Sequence, residues 1–144
     1  MFCDISPTCY KIALQKEIIK RHIKNFLRHE RYADTRQSEP LPCLVADCSS
    51  HLIKRGKGID PVLQENKAVN IKLANARMNG ILIRPGETFS FWHLVGKTTK
   101  RKGYRDGRIL VRNHLLPGIG GGLCNLANTI HGVVLLSPLT VTEF

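Results

Sequence analysis

The segment PGIGGGLC, residues 117–124, constrains the fold most strongly because it places four glycines within residues 118–122. Glycine in a helix interior is less favourable than alanine by about 1 kcal/mol, so a helix is not expected to run through this stretch. Residues 123–136 do have helical periodicity, with an apolar side made of Leu126, Ile130, Val133 and Val134. The sequence therefore predicts a glycine-rich loop that leads into a helix starting at the cysteine, Cys124.

This position gives Cys124 two alternative interpretations. At a helix start, unpaired N–H groups and the positive end of the helix dipole favour a thiolate, which makes Cys124 a candidate nucleophile. Gly120, Gly121, Gly122 and Asn125 then form a candidate oxyanion or substrate loop. The structural alternative is a tight strand-to-helix turn in which the cysteine is a small core residue. Both alternatives stay open at this point.

Residues 8–31 have the pattern of a basic amphipathic helix. The favoured interpretation is a surface helix whose apolar side packs on its own domain, and the alternative is a helix on a membrane surface. The apolar positions are Ile12, Ile19, Ile23, Phe26 and Leu27, and the basic ones are Lys16, Lys20, Lys24 and Arg28.

Three further elements are predicted from local signals. A helix is expected between Asp60 as N-cap and Gly80 as its stop, with Val62, Val69, Leu73 and Ala76 as its apolar face. A hairpin is expected over residues 81–92, with a turn at Pro85-Gly86, and a strand over residues 108–112. Together these predict an α+β fold with three helices and a small antiparallel sheet, divided into residues 1–59 and 60–144.

The charge balance favours anionic partners, because 22 Lys and Arg stand against 11 Asp and Glu. Nucleic acid, anionic lipid and an acidic wall polymer fit this charge, but the chain has no nucleic-acid recognition motif and few aromatic residues. A basic loop is either a solvated surface loop or an anion contact, and its cations are Lys97, Lys100, Arg101 and Lys102.

Cysteine spacing and the absence of long apolar segments narrow the remaining function classes. No CxxC pair exists, so we expect no metal site and no cofactor, and reduced thiols are favoured over a disulfide between Cys43 and Cys48. Neither a signal peptide nor a transmembrane segment is apparent. We therefore expect a cytoplasmic location, with association with the cell envelope as the alternative.

Three segments resemble the VanW family, which is named for an accessory protein of vancomycin-resistance gene clusters in Gram-positive bacteria. They are QENKAVNIKLANARMNGILIRPGETFSFW, GYRDGRIL and PGIGGGLCNLANTIHGVVLLSPLTVTE, and the resemblance is strong over residues 64–143. It implies an accessory role in glycopeptide resistance, with peptidoglycan or an anionic wall polymer as partner. Two alternatives are a cysteine-dependent hydrolase or acyltransferase that acts on peptidoglycan peptides through Cys124, and a basic surface-binding protein without catalysis.

The chain departs from the family pattern at positions that bear on catalysis. Asn125 stands where the family usually has Gln, and Ala127 stands where it usually has Ser or Thr. The family also continues past TVTE with a segment resembling R-H-x-H-S, so we expect a VanW-like core that is incomplete at its C-terminus. That later histidine would be the natural base for the cysteine, whereas His131 lies about two helical turns away from it. The resemblance therefore leaves enzymatic activity open.

Overall fold

The computed structural model describes residues 7–27, 30–111 and 114–143, which divide into two compact units. Unit 1 contains Met1–Ala33 and Ile83–Phe89, and unit 2 contains Asp34–Leu82 and Ser90–Phe144. The mixture of helices with a small antiparallel sheet confirms the predicted α+β class. The predicted division of the chain into residues 1–59 and 60–144 stays a prediction.

Unit 1 combines one long helix with a short parallel ladder. Helix α1 spans Pro7–Leu27, within one residue of the predicted start, and the predicted Arg28 lies outside the described residues. The predicted end at residue 31 is wrong, because Arg31 lies in a strand. Strand β1 (Arg31–Tyr32) pairs in parallel with β2 (Glu87–Thr88). The expectation that the apolar side of α1 packs on its own domain is wrong, because the described residues of that side remain largely exposed to solvent.

Helix α2, which spans Pro61–Met78, is the central element of unit 2. Its start follows the local sequence: the Asp60 carboxylate accepts from the Val62 N–H at 2.8 Å, and Pro61 occupies the first turn. The chain leaves the helix through Gly80, whose φ of 76° is in the left-handed region that favours glycine. The predicted start and stop of this helix are both confirmed.

The predicted apolar face of α2 is only partly correct, since two of its four residues, Val69 and Leu73, are half-buried. Val62 is 60% exposed and Ala76 is also exposed, whereas the buried positions are Gln64, Asn70, Ala74 and Met78. Two of these four are polar because their side-chain amides bond to backbone groups of other segments of unit 2. The apolar periodicity of the sequence could not reveal this use of polar side chains.

The predicted hairpin over residues 81–92 is also wrong, since Ile81 forms an isolated bridge with Arg36 instead of pairing across the turn. The turn is present, since Gly86 has a φ of 78° and the Glu87 N–H donates to the Arg84 carbonyl at 2.9 Å. However, the residues after the turn pair with β1, and helix α3 spans Phe91–Val95. The Ser90 hydroxyl caps α3 by accepting from the His93 N–H at 3.4 Å. The helix N-cap Ser90 thus lies between Phe89 and Phe91, whose alternation resembles a strand.

The rest of unit 2 supports the glycine-rich segment. A 3₁₀ turn covers Lys100–Lys102, and strands β3 (Asp106–Val111) and β4 (His114–Ile119) form an antiparallel hairpin. Strand β3 confirms the strand predicted over residues 108–112, of which Arg112 lies outside the described residues. Helix α4 (Leu123–Leu135) follows the glycines, as the sequence predicts. The helices α3 and α4 and strand β3 all pack against α2.

Candidate functional site

The glycines before Cys124 are required by the close approach of two backbone segments in unit 2. A Cβ at Gly107 would lie 2.6 Å from the Gly121 carbonyl oxygen, and a Cβ at Gly121 would overlap the Gly107 backbone. Gly120 and Gly122 adopt φ values of 77° and 96°, which side chains of L-residues rarely adopt. The run of glycines therefore lets the end of β4 cross β3 before α4 begins.

Asn70 holds this crossing in place from α2. Its side chain is fully buried, and its Nδ2 donates to the carbonyls of Arg105 and Gly121, both at 2.9 Å. Its Oδ1 accepts from the Arg105 N–H at 2.8 Å. One amide side chain thus fixes both the segment before β3 and the glycine loop, which sets the position where α4 starts.

Two backbone N–H groups of the glycine loop donate hydrogen bonds to carbonyls of the protein itself. The Gly120 N–H donates to the Arg105 carbonyl at 3.0 Å, and the Gly121 N–H donates to the Gly118 carbonyl at 3.1 Å. An oxyanion role for these two groups, as the sequence analysis suggests, stays a prediction and requires them to exchange their present acceptors. Gly122 is the N-cap of α4.

Cys124 is the second residue of α4, and its side chain is exposed. It is a free thiol, as are Cys43 and Cys48, so the disulfide considered between the latter two is not formed. The neighbouring Asn125 is half-buried, and its N–H donates to the Gly122 carbonyl at 3.0 Å. The structural alternative that places Cys124 in the core is wrong, because the sulfur is accessible at a helix start.

Lys67 of α2 brings a positive charge close to Gly122, the N-cap of α4. Its side-chain carbons lie so close to Gly122 that a Cβ there would overlap them, and its Nζ donates to the Leu52 carbonyl at 2.6 Å. Burial lowers the pKa of Lys67, repulsion from Lys54 and Arg108 lowers it further, and a Cys124 thiolate raises it. We define Lys54, Lys67 and Arg108 as the junction cations.

The basic loop predicted from the sequence lies on the surface, and its four cations, Lys97, Lys100, Arg101 and Lys102, are all exposed. The Lys100 ammonium pairs with the Asp106 carboxylate at 3.2 Å. A surface pair of this kind contributes less than about 1 kcal/mol, so it leaves the loop available to other anions. Anion binding by this loop stays a prediction.

The histidines have positions that sequence spacing could not assign. His131 is half-buried on α4, His114 is exposed on β4 rather than in a loop, and the His93 Nε2 lies 2.9 Å from the Asp34 Oδ1. Among the described residues, no group of three or more His, Cys, Asp or Glu is arranged to hold a metal ion.

Comparison with protein families matches residues 66–144 to the VanW family, described as VanW like protein. This match covers more than half of the chain and includes β3, β4, the glycine loop and Cys124. The chain belongs to the VanW family. The sequence resemblance is thereby confirmed.

Two curated relatives contain sequence similar to this VanW-like chain. Vancomycin B-type resistance protein VanW of Enterococcus faecalis (strain ATCC 700802 / V583) is 41% identical over 112 residues, which are 78% of this chain and 41% of that protein. Uncharacterized protein YoaR of Bacillus subtilis (strain 168) is 33% identical over 79 residues, which are 55% of this chain and 26% of that protein. The VanW-like chain thus spans less than half the length of either relative. No solved structure matches it.

Sequence reasoning missed three residues that build the site of this VanW-like chain: Lys67, Asn70 and Gly107. All three lie within the region that matches the family. Asparagine is intrinsically unfavourable in a helix interior, but α2 also contains Asn66 and the exposed Asn75, so this signal does not single out Asn70. Lys67 and Gly107 carry no comparable local signal.

Proposed function

We propose that this VanW-family chain is an accessory protein of glycopeptide resistance that binds an anionic cell-wall component beside Cys124. The observation that carries the proposal is that Lys67, whose side-chain carbons lie against Gly122, interacts electrostatically with the two other junction cations, Lys54 and Arg108. Burial is the largest cause of the lowered pKa of Lys67, and repulsion from Lys54 and Arg108 lowers it further. A bound anion would relieve this repulsion, so the cluster is better suited to a negatively charged ligand than to an empty state.

Two kinds of wall chemistry carry the required charge. Peptidoglycan stem peptides have carboxylates, and wall polymers of the teichoic type have phosphates, and both groups pair well with arginine and lysine. The link to resistance rests on the similarity to vancomycin B-type resistance protein VanW. The link to a wall component rests on the charge and on the family, and it is the part that needs a direct test.

The test is retention of the purified chain on cell-wall sacculi, with the anionic polymer either kept or removed. One variant neutralises the junction cations, and the matched control neutralises the basic loop: K54Q/K67Q/R108Q against K97Q/K100Q/R101Q/K102Q. We expect the junction variant to lose retention at low salt while the loop variant keeps it, with both folds checked by circular dichroism.

Retention should also fall as salt rises, because exposed charge contacts are screened. Equal retention of the junction variant and the native chain would contradict binding at the junction. If the loop variant alone loses retention, the chain is instead a basic surface-binding protein without catalysis. Its binding residues are then Lys97, Lys100, Arg101 and Lys102.

A second candidate function is cysteine-dependent acyl transfer on peptidoglycan peptides, favoured by the exposed thiol of Cys124 at a helix start. The thiolate would attack an amide carbonyl carbon to form a thioester, and the amine would leave after taking up a proton. Water or a second amine would then release the acyl group. The Lys67 ammonium, which interacts with a Cys124 thiolate, is the candidate donor of the proton that the leaving amine takes up.

This second candidate is tested by incubating the chain with purified muropeptides and weighing the products by mass spectrometry. Cys124→Ala should abolish any cleaved or transferred product, and Cys43→Ala is the matched control at another exposed thiol. Product formation that survives Cys124→Ala would contradict a nucleophilic role for this cysteine.

A further inference from the structure

Helix α1 presents an apolar side to solvent. Ile12, Ile19 and Ile23 are 57%, 56% and 55% exposed, and Leu27 at the end of the helix is 69% exposed. Isolated exposed apolar residues are normal on protein surfaces, but several on one helix side mark a surface that binds something.

These four residues lie on one side of the helix. Their spacings of seven, four and four residues keep them within an arc of roughly 80° at 3.6 residues per turn. Leu14, which is 45% exposed, lies at least roughly 140° away from this arc. We call Ile12, Ile19, Ile23 and Leu27 the α1 stripe.

Cations border the stripe. Lys16, Lys20 and Lys24 follow one another at four-residue spacing, so they form a row that begins within the stripe and continues along its edge. Over Pro7–Leu27 the helix also contains Lys11 and Arg21, against Glu17 as its acidic residue. An occupant of this surface must therefore be apolar over the stripe and negatively charged along the edge that carries the lysines.

We propose that α1 lies flat on an anionic lipid bilayer, with the α1 stripe in the acyl boundary and the lysine row among the headgroups. Charge complementarity selects this occupant, because the positively charged border disfavours a second copy of the same helix. Spanning is excluded for this helix, which is not apolar enough to cross a membrane. The inference does not depend on the proposed function, since it rests on unit 1 alone.

The test uses the full chain and vesicles of phosphatidylglycerol mixed with phosphatidylcholine, with pure phosphatidylcholine vesicles as the uncharged comparison. Co-sedimentation should show binding to the charged vesicles and much weaker binding to the uncharged ones. Lys16→Gln with Lys20→Gln should weaken binding by roughly fivefold for each lysine.

Ile19→Glu with Ile23→Glu should weaken vesicle binding by about tenfold or more for each position, because each isoleucine loses its place in the acyl boundary. Both side chains are exposed, so these changes leave the fold of the free protein intact, which circular dichroism checks. Leu14→Glu is the matched control: it makes the same kind of change on another side of α1 and should leave binding within about twofold of the native chain.

Three results would overturn the proposal. The first is unchanged binding of the Ile19→Glu/Ile23→Glu variant, and the second is equal binding to charged and uncharged vesicles. The third is self-association of the native chain, detected by analytical ultracentrifugation without vesicle binding and abolished by the same double change, which would assign the stripe to a second copy.

Discussion

Replacement of Asn70 tests whether one buried amide holds the glycine loop in place. Asn70→Ala removes hydrogen bonds to Gly121 and Arg105. The Arg105 carbonyl keeps a second donor, the Gly120 N–H at 3.0 Å, so it stays satisfied. Two groups lose their partner: the buried Gly121 carbonyl and the Arg105 N–H.

An unsatisfied buried polar group costs about 1–3 kcal/mol. The Gly121 carbonyl should incur the upper part of this range because Gly121 is buried, and the Arg105 N–H the lower part because that bond is only partly buried. We therefore expect Asn70→Ala to lower the free energy of unfolding by about 3–4 kcal/mol. That is a large share of the total stability of a small domain, which is about 5–15 kcal/mol.

Asn70→Asp separates hydrogen bonding from packing. Aspartate has nearly the same volume, but it replaces the donor with an oxygen that faces the carbonyls of Arg105 and Gly121. If the amide donor matters, Asn70→Asp destabilises at least as much as Asn70→Ala, since it also buries a charge. Asn75→Ala, at an exposed position of the same helix, is the matched control and should change stability by less than about 0.5 kcal/mol.

The assay is urea denaturation followed by helix circular dichroism and by fluorescence of Trp92, the single tryptophan of the chain. The Trp92 signal reports on unit 2, because α3 belongs to it, whereas the helix signal also includes α1 of unit 1. An Asn70→Asp variant within about 0.5 kcal/mol of the native protein would refute the role of the donor. So would an Asn70→Ala variant that is no less stable than Asn75→Ala.

Three further predictions address the loop, the thiol and a buried phenol. Gly121→Ala should lower the free energy of unfolding by about 1–3 kcal/mol, because the added Cβ overlaps the Gly107 backbone. Gly132→Ala places its Cβ in open space on α4 and should raise the free energy of unfolding by about 0.5–1 kcal/mol. Denaturation midpoints in the reverse order would contradict this. Cys124 should be alkylated faster than the other exposed cysteines, and Lys67→Met should slow its alkylation because the electrostatic interaction between Lys67 and the Cys124 sulfur is lost. Peptide mapping after a short iodoacetamide pulse measures both rates, and an unchanged rate in the variant counts against this interaction. Burial raises the pKa of Tyr104, so its contribution to stability is present below pH 10 and is lost as pH rises through the folded-state pKa. Tyr104→Phe should reduce this loss of stability, which urea midpoints measured on both sides of pH 10 would show. An equal loss in the variant would exclude the Tyr104 phenol as its cause.

The sequence alone determined the elements whose signals are local. The Asp60 cap, Pro61 and Gly80 place the start and end of α2 within two residues of the observed helix. The glycines before Cys124 likewise predict the start of α4, because a run of glycines disfavours helix wherever the chain lies. The family, too, could be identified from the order of short motifs.

Tertiary structure decided which partner each segment takes. Residues 87–88 pair with Arg31–Tyr32 instead of residues 81–83, and no local pattern encodes a choice between two distant strands. The Ser90 cap then turns a strand-like alternation into helix α3.

The candidate site, too, combines a feature that local sequence predicts with features that only tertiary contacts create. The sequence places Cys124 at a helix start, but only the packing of α2 brings Lys67 beside it and sets Asn70 against the glycine loop. The reason for the glycines is likewise tertiary, since the residue that Gly121 must approach, Gly107, lies on β3, which is separated from Gly121 by the whole of β4. Local propensity fixes where an element begins, whereas contacts between distant residues fix which side chains share its surroundings.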